Sequence, residues 1–224
     1  MLHVAEEIAS QPDCWAQAQR LSQREAVMLP GRGERVAVVG CGTSLFVGRA
    51  YAVLREAAGA GLTDAFPASE FPLGRDYDKV VTISRSGTTT EVLDVPDMLG
   101  DRVPTVAITA DPASPVLDHA GHSVVLDFAD ERSVVQTRFA TSTLALLRAH
   151  PGHDLGPVIA AAGEAVDAAL PEGAPGREPV HLPRARLDRR PGARGRTQDA
   201  RGRAGPVGVL PGDGVSPRTH EHQR

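Results

Sequence analysis

The sequence predicts an α/β fold, a parallel sheet with helices on both of its faces. Three observations carry this. Runs of β-branched and aliphatic residues at 35–40 (RVAVVG), 79–83 (KVVTI) and 103–110 (VPTVAITA) are short and apolar throughout, as strands buried on both faces are. Segments with helical spacing separate these runs, the alternation that builds parallel sheets. The runs at 35–40 and 79–83 empty into loops rich in Ser, Thr and Gly, and open parallel sheets bind their ligands beyond the carboxyl ends of the strands.

In chain order, residues 3–28 read as helical with a break near Pro12. Leu2, Ala5, Ile8 and Ala9 begin an apolar stripe that Trp15, Ala18, Leu21, Ala26 and Val27 continue, a packing face rather than a site. Pro30, Gly31 and Gly33 end it. The strand Arg35–Gly40 passes through CGTS into a helix from Leu45 to Ala58. Thr63–Glu70 is a weak strand that Pro67 and Pro72 keep short or place at an edge. The strand at 79–83 leads through the loop 84–90 to a short helix, Val92–Leu99. After the strand Val103–Ala110, a helical turn starts at Ser114, Pro115 and Val116, with Pro at a favoured first position. His122–Phe128 is the last strand. Thr137–Ala149 is a helix, and residues 154–170 form another that is rich in Ala.

Composition sets limits on function. The 224 residues allow one domain or one and part of a second, and 41% hydrophobic residues suffice for a core. No apolar run approaches the ~18 residues of a membrane span. Glu6 and Glu7 stand where a secretory signal would be basic, so a soluble, cytoplasmic protein without a membrane partner is expected. Cys14 and Cys41 are too few for a disulfide framework or a zinc site and read as small buried thiols. The net charge of −4 hides two unlike pieces, −10 over residues 1–176 and +6 over residues 177–224.

The loop after the strand 79–83 holds the densest chemistry. Ser84, Ser86, Thr88, Thr89 and Thr90 bring five hydroxyls and Gly87 a permissive backbone position, all at a helix start. Backbone N–H groups at such a start seat a phosphate or similar anion, although Ser and Thr also serve there as plain helix caps. Thr43 and Ser44 repeat the arrangement after the strand 35–40. Gly40 and Gly42 suggest a dinucleotide fingerprint, but position 45 is Leu and no acid closes a following strand at the expected distance, so no nucleotide cofactor is expected. Nor is any other cofactor or metal. Glu131 is a weak candidate for a general base, since a lone acid before a helix more often caps it.

CGTS at 41–44, ISRSGTT at 83–89 and ERSVVQTRFATS at 131–142 together resemble the sugar isomerase (SIS) domain family. The chain is most similar to the tandem arrangement in the isomerase half of glucosamine-6-phosphate synthase and in the amino-sugar ketose/aldose isomerases. EEIASQP at 6–12 resembles the segment that opens those isomerase halves. The resemblance implies a doubly wound, flavodoxin-like sheet of five parallel strands that holds a phosphosugar, and a homodimer. Thr43 and Ser44 match the first hydroxyl loop, while Ser84, Ser86, Gly87 and Thr89 match the phosphate loop. Arg85 stands where the synthase has Gln and reaches either the phosphate or solvent. Val134 and Gln136 fall in the loop that lies against the sugar. The implied chemistry is aldose–ketose isomerisation through an enediol, which needs a base to move a proton between C1 and C2. In the tandem family that chemistry comes largely from the second repeat, with a Glu in a helix and a His in a His-Gly-Pro motif, and the written frame of this chain has neither.

The implied organisation is an N-terminal helical segment at 1–29, an SIS domain at 30–150, a helical linker at 151–176 and a disordered tail at 177–224. The tail carries 11 arginines and only seven large apolar residues, too few to fold, and it lacks the interleaved aromatics of a nucleic-acid arm. It reads instead as GC-rich coding DNA translated out of frame. Shifted by one base, allowed codons over Val209–Thr219 spell SYPAMEYRHGP, which contains the missing His-Gly-Pro. A second repeat lost to a frameshift near residues 171–181 accounts for this. Two functions stay open, an isomerase of sugar or amino-sugar phosphates impaired by truncation, and a phosphosugar-sensing module without catalysis.

Overall fold

The computed structural model describes residues 2–169. Helices α1 (Leu2–Ala9) and α2 (Gln11–Arg24) come first. The break between them is Ser10, and Pro12 sits in the first turn of α2, where its missing N–H costs no helical bond. There follow β1 (Val36–Gly40), α3 (Thr43–Ala57), β2 (Thr63–Pro67), β3 (Lys79–Ile83), α4 (Thr90–Leu99), β4 (Thr105–Thr109), α5 (Val116–His119), β5 (His122–Val125), α6 (Arg138–Ala149) and α7 (Gly156–Asp167). The tail at 177–224, its frameshift reading and the end of the expected linker lie outside the described residues.

The five strands form one parallel sheet in the order β2-β1-β3-β4-β5. Every residue of β1, β3 and β4 is buried, as their uninterrupted apolar runs require. Successive side chains point to opposite faces and meet different layers. Val36, Val38, Val81, Ile83, Val106 and Ile108 join Leu21, Val47, Tyr51, Phe139 and Leu146 in the larger core, under α2, α3 and α6. Ala37, Val39 and Val80 turn the other way, against Val92, Val95 and Leu99 of α4. Each fully buried Val or Leu contributes about 1.5–3 kcal/mol, so covering both faces is what holds the sheet. The edge position of β2 agrees with its Pro67, which pairs with Gly40 at the end of the ladder.

Several expectations change. The strand expected over Thr63–Glu70 ends at Pro67 and gives way to a 3₁₀ turn at Ala68–Glu70, and the helical region expected to residue 28 ends at Arg24. β5 ends at Val125, and residues 127–129 form a 3₁₀ turn instead of continuing to Phe128. Leu126 and Ala129 are both fully buried, a spacing of three that suits the turn and breaks strand alternation. Cys14 is buried, but Cys41 is exposed. It is the first residue past β1, where the chain leaves the sheet. Among the described residues no helix is long and apolar enough to cross a membrane.

Candidate functional site

Sheet order locates the site. From β1 the chain crosses to β2 on one side, then returns to place β3, β4 and β5 on the other, so the order reverses between β1 and β3. A crevice opens at such a switch point, beyond the carboxyl ends of the two strands. Gly40 and Ile83 are paired across it, on strands about 4.8 Å apart. The residues that follow them, 41–44 and 84–89, are the two hydroxyl loops. Three cavities elsewhere on the described residues take no residue from either loop.

In the first loop, Ser44 is buried and Thr43 exposed, both in the opening turn of α3. The Ser44 N–H donates to the Cys41 carbonyl at 3.2 Å. A Cβ on Gly40 would stand 2.9 Å from that of Ser44, so glycine is what lets the helix start lie against the strand end.

The second loop is held by its own hydroxyls. The Gly87 N–H donates to Ser84 Oγ at 3.2 Å, and Ser84 Oγ lies 3.4 Å from Thr89 Oγ1. Ser86 Oγ and Thr88 Oγ1 are 2.8 Å apart at the surface. Thr89 is the N-cap of α4, yet its side chain makes no capping bond, which a plain capping turn would require. Gly87 has φ +59 and sits on Ser114. Thr109 Oγ1 donates to the Arg85 carbonyl at 3.0 Å and so ties β4 to the loop.

Arg85 does not simply point into solvent. Its guanidinium donates to the Glu131 carbonyl and stands 3.6 Å from Asp130 Oδ1, joining the phosphate-type loop to the 130–137 segment. Glu131 is 4% exposed, and its Oε1 accepts bonds from the Thr137 and Arg138 N–H groups and, at 2.7 Å, from the Thr137 hydroxyl. It therefore caps α6, where the helix dipole favours its charge. Glu7 fixes the same segment from the other side. Its Oε1 accepts from Arg132 N at 2.7 Å and Ser133 N at 3.1 Å. Burial pushes the Glu7 carboxyl up, but these bonds and the Arg138 charge outweigh it and leave the group below its ordinary value. Gln136 is half-buried, with Oε1 unpartnered among the described residues, while Val134 is 98% exposed.

The structure thus places Ser44, Ser84, Gly87 and Thr89 at two adjoining strand ends and Arg85 between loop and cap, and leaves Val134 in solvent. Sequence reasoning passed over Ser114, Thr109 and Glu7. Ser114 and Thr109 support the loop through contacts across the sheet, and Glu7 reaches its partners 125 residues away, so no local pattern announces any of the three.

No family model matches the chain, and no curated protein does. Solved structures do. The C-terminal domain of glucosamine-fructose-6-phosphate aminotransferase from Francisella tularensis superposes with a TM-score of 0.55 at 20% identity, over 71% of this chain and 51% of that one. Tagatose-6-phosphate ketose/aldose isomerase from Escherichia coli gives 0.54 at 19%, over 72% and 50%. The Vibrio vulnificus NanR protein complexed with ManNAc-6P gives 0.50 at 20%, over 72% and 65%. The chain spans about half the length of the first two. The described residues have the sugar isomerase fold that the three motifs imply.

Proposed function

We propose that the crevice between β1 and β3 binds a sugar phosphate, with the phosphate on residues 84–89 and the sugar toward 41–44 and 131–137. The observation that carries this is the emergence of both hydroxyl-rich loops from paired strand ends at the one reversal of strand order. The names of the three similar structures all concern hexose 6-phosphates, which favours that ligand class. Ser84, Ser86 and Thr89 supply hydroxyl donors, Gly87 lets the backbone approach, and the start of α4 adds a favourable dipole for the anion. The protein is read as cytoplasmic and as a homodimer.

Binding without turnover is the behaviour expected of the chain. An enediol mechanism needs a carboxylate or imidazole that is free to take the proton from C1 or C2. Glu131 Oε1 is engaged at the start of α6, its buried Oε2 has no partner among the described residues, and the written frame holds neither the helical Glu nor the His-Gly-Pro of a second repeat. This favours the phosphosugar-sensing module over an isomerase. Glucosamine 6-phosphate and fructose 6-phosphate test it by thermal shift and by interconversion assay. Ligand at a hundred times Kd should stabilise by about 2.7 kcal/mol. Ser86→Ala should remove most of that shift and leave the ligand-free unfolding midpoint within about 0.5 kcal/mol of wild type. Turnover at a rate typical of an isomerase would overturn the sensing reading, and an unchanged shift in Ser86→Ala would overturn the site. For the tail, the encoding DNA is decisive: a plus-one frame that meets stop codons soon after codon 180 removes the frameshift.

A further inference from the structure

A second candidate site lies at the opposite end of the sheet, before the amino end of β1. There the turn Pro30–Arg32, helix α3 and the end of α6 enclose a cavity of about 380 Å3, within the range of small-molecule pockets. Its lining combines an apolar floor, including Tyr51, Leu54 and Leu147, with Arg32, Arg55, Arg148, His150 and His153. No Asp or Glu contributes to that lining. The charge is one-sided.

Arg55 makes the imbalance costly. It is 4% exposed, and no carboxylate among the described residues lies within ion-pair distance of it. Its Nη1 donates to the Glu34 carbonyl and to Thr63 Oγ1, each at 2.9 Å, and its Nη2 donates to the Gly31 carbonyl. Neutral dipoles therefore hold the buried guanidinium, which adds positive potential to the cavity with no carboxylate among the described residues to offset it. Glu34, the nearest acid in this turn, is already engaged. Its Oε2 accepts from Gly31 N at 2.7 Å and stands 3.7 Å from Lys79 Nζ, itself buried and donating to the carbonyls of Met28 and Leu29. His150 offers no negative charge either, since its Nε2 donates to the Pro30 carbonyl at 3.0 Å and burial keeps its ring toward the neutral form. At the mouth, the guanidinium groups of Arg32 and Arg148 are exposed and pair with no carboxylate among the described residues.

We infer that this cavity is a binding site for a small organic anion, one carboxylate or phosphate group on an apolar or aromatic body. The body lies on Tyr51, Leu54 and Leu147, and the oxyanion faces Arg32 and Arg148, whose forked donors suit either group. The site is separate from the sugar-phosphate crevice, and its occupant shares only the anionic group with that ligand.

Calorimetric titration of the full chain with phenyl phosphate, benzoate and the neutral benzyl alcohol tests the inference. At least one anion should bind with submillimolar affinity, and benzyl alcohol at least tenfold more weakly. The preferred anion distinguishes a phosphate ligand from a carboxylate one. Combining Arg32→Ala with Arg148→Ala, both exposed and so compatible with folding, should weaken that anion at least tenfold and leave glucosamine 6-phosphate binding unchanged. Ser86→Ala should do the reverse. Three results would overturn the site: neither anion binding at millimolar concentration, equal affinity in the double variant, or phenyl phosphate binding that disappears in Ser86→Ala. None of these depends on whether glucosamine 6-phosphate binds.

Discussion

At Gly87 the proposed phosphate loop bears on the rest of the sheet, and no other residue type fits there. Its φ of +59 is left-handed, and an added Cβ would stand 2.4 Å from Ser114 Oγ, 2.6 Å from Ser114 Cβ and 2.8 Å from Val116 Cγ1. The Gly87 carbonyl also accepts the Val116 N–H at 3.2 Å, so the loop cannot retreat without losing a bond. Gly87→Ala should therefore cost about 1–3 kcal/mol in urea unfolding and remove the sugar-phosphate thermal shift. A variant of wild-type stability would mean that the loop is free to move and is not a preformed seat. His150 gives a second prediction at this scale. Burial, with the charges of Lys79 and Arg55, holds its pKa below the ordinary 6.5, although the Pro30 carbonyl and Glu34 oppose this. The unfolded chain then binds more protons than the folded one between the lowered value and 6.5, so stability rises with pH across that window. The contribution is complete above about pH 6.5 and is lost as pH falls through the folded value. His150→Gln should flatten the fall in urea midpoint between pH 7.5 and 5.5, and an unchanged slope would show that the ring titrates alike in both states.

Helix α6 depends on a residue that precedes it by seven positions. Glu131 Oε1 gathers the first N–H groups of the helix and the Thr137 hydroxyl, while Arg138, the first helical residue, donates through Nη1 to Ser10 Oγ at 3.1 Å, where α1 meets α2. Glu131→Ala should lose about 1–2 kcal/mol, the usual cost of a lost cap. Glu131→Gln keeps an acceptor oxygen and should lose less. This pair separates the two readings of the acid. A capping role makes the loss depend on the acceptor and appear in unfolding, whereas a general base would show Gln and Ala equally dead in turnover with the Gln protein fully stable. Both readings are legible in the sequence, because an acid before a helix is a local pattern. It could not show that Arg85 would bind the backbone of the same segment, since the register of residues 85 and 131 depends on how β3 and the chain beyond β5 leave the sheet. The end of β5 departs from its sequence pattern for a similar reason. HSVVLDF satisfies strand propensity through Phe128, and only the burial of Leu126 and Ala129 against the helices bends it into a turn.

For the molecule as a whole, the parallel sheet separates two kinds of chemistry. Loops beyond the carboxyl ends carry hydroxyls and helix starts, which suit a phosphate, whereas the turn before β1 gathers the buried Arg55 and the exposed Arg32 and Arg148 over an apolar floor. The first was legible because consecutive Ser and Thr after an apolar run mark a strand followed by a helix start. The second was not, because Pro30, Arg55 and Arg148 are far apart in the chain and meet only when α3 and α6 pack on the same face of the sheet. The strands between these ends are five residues long, about 17 Å at 3.3 Å per residue. Sites that far apart with no shared side chain should act independently. Glucosamine 6-phosphate and the preferred cavity anion, each at a hundred times its Kd, should together stabilise the chain by about 5 kcal/mol, the sum of two contributions near 2.7. The combined shift in urea midpoint, measured with each ligand alone and then both, should equal that sum within about 0.5 kcal/mol. A combined shift no larger than either alone would put both ligands in one place, and a larger one would mean that the rigid β1–β3 pair couples the two ends.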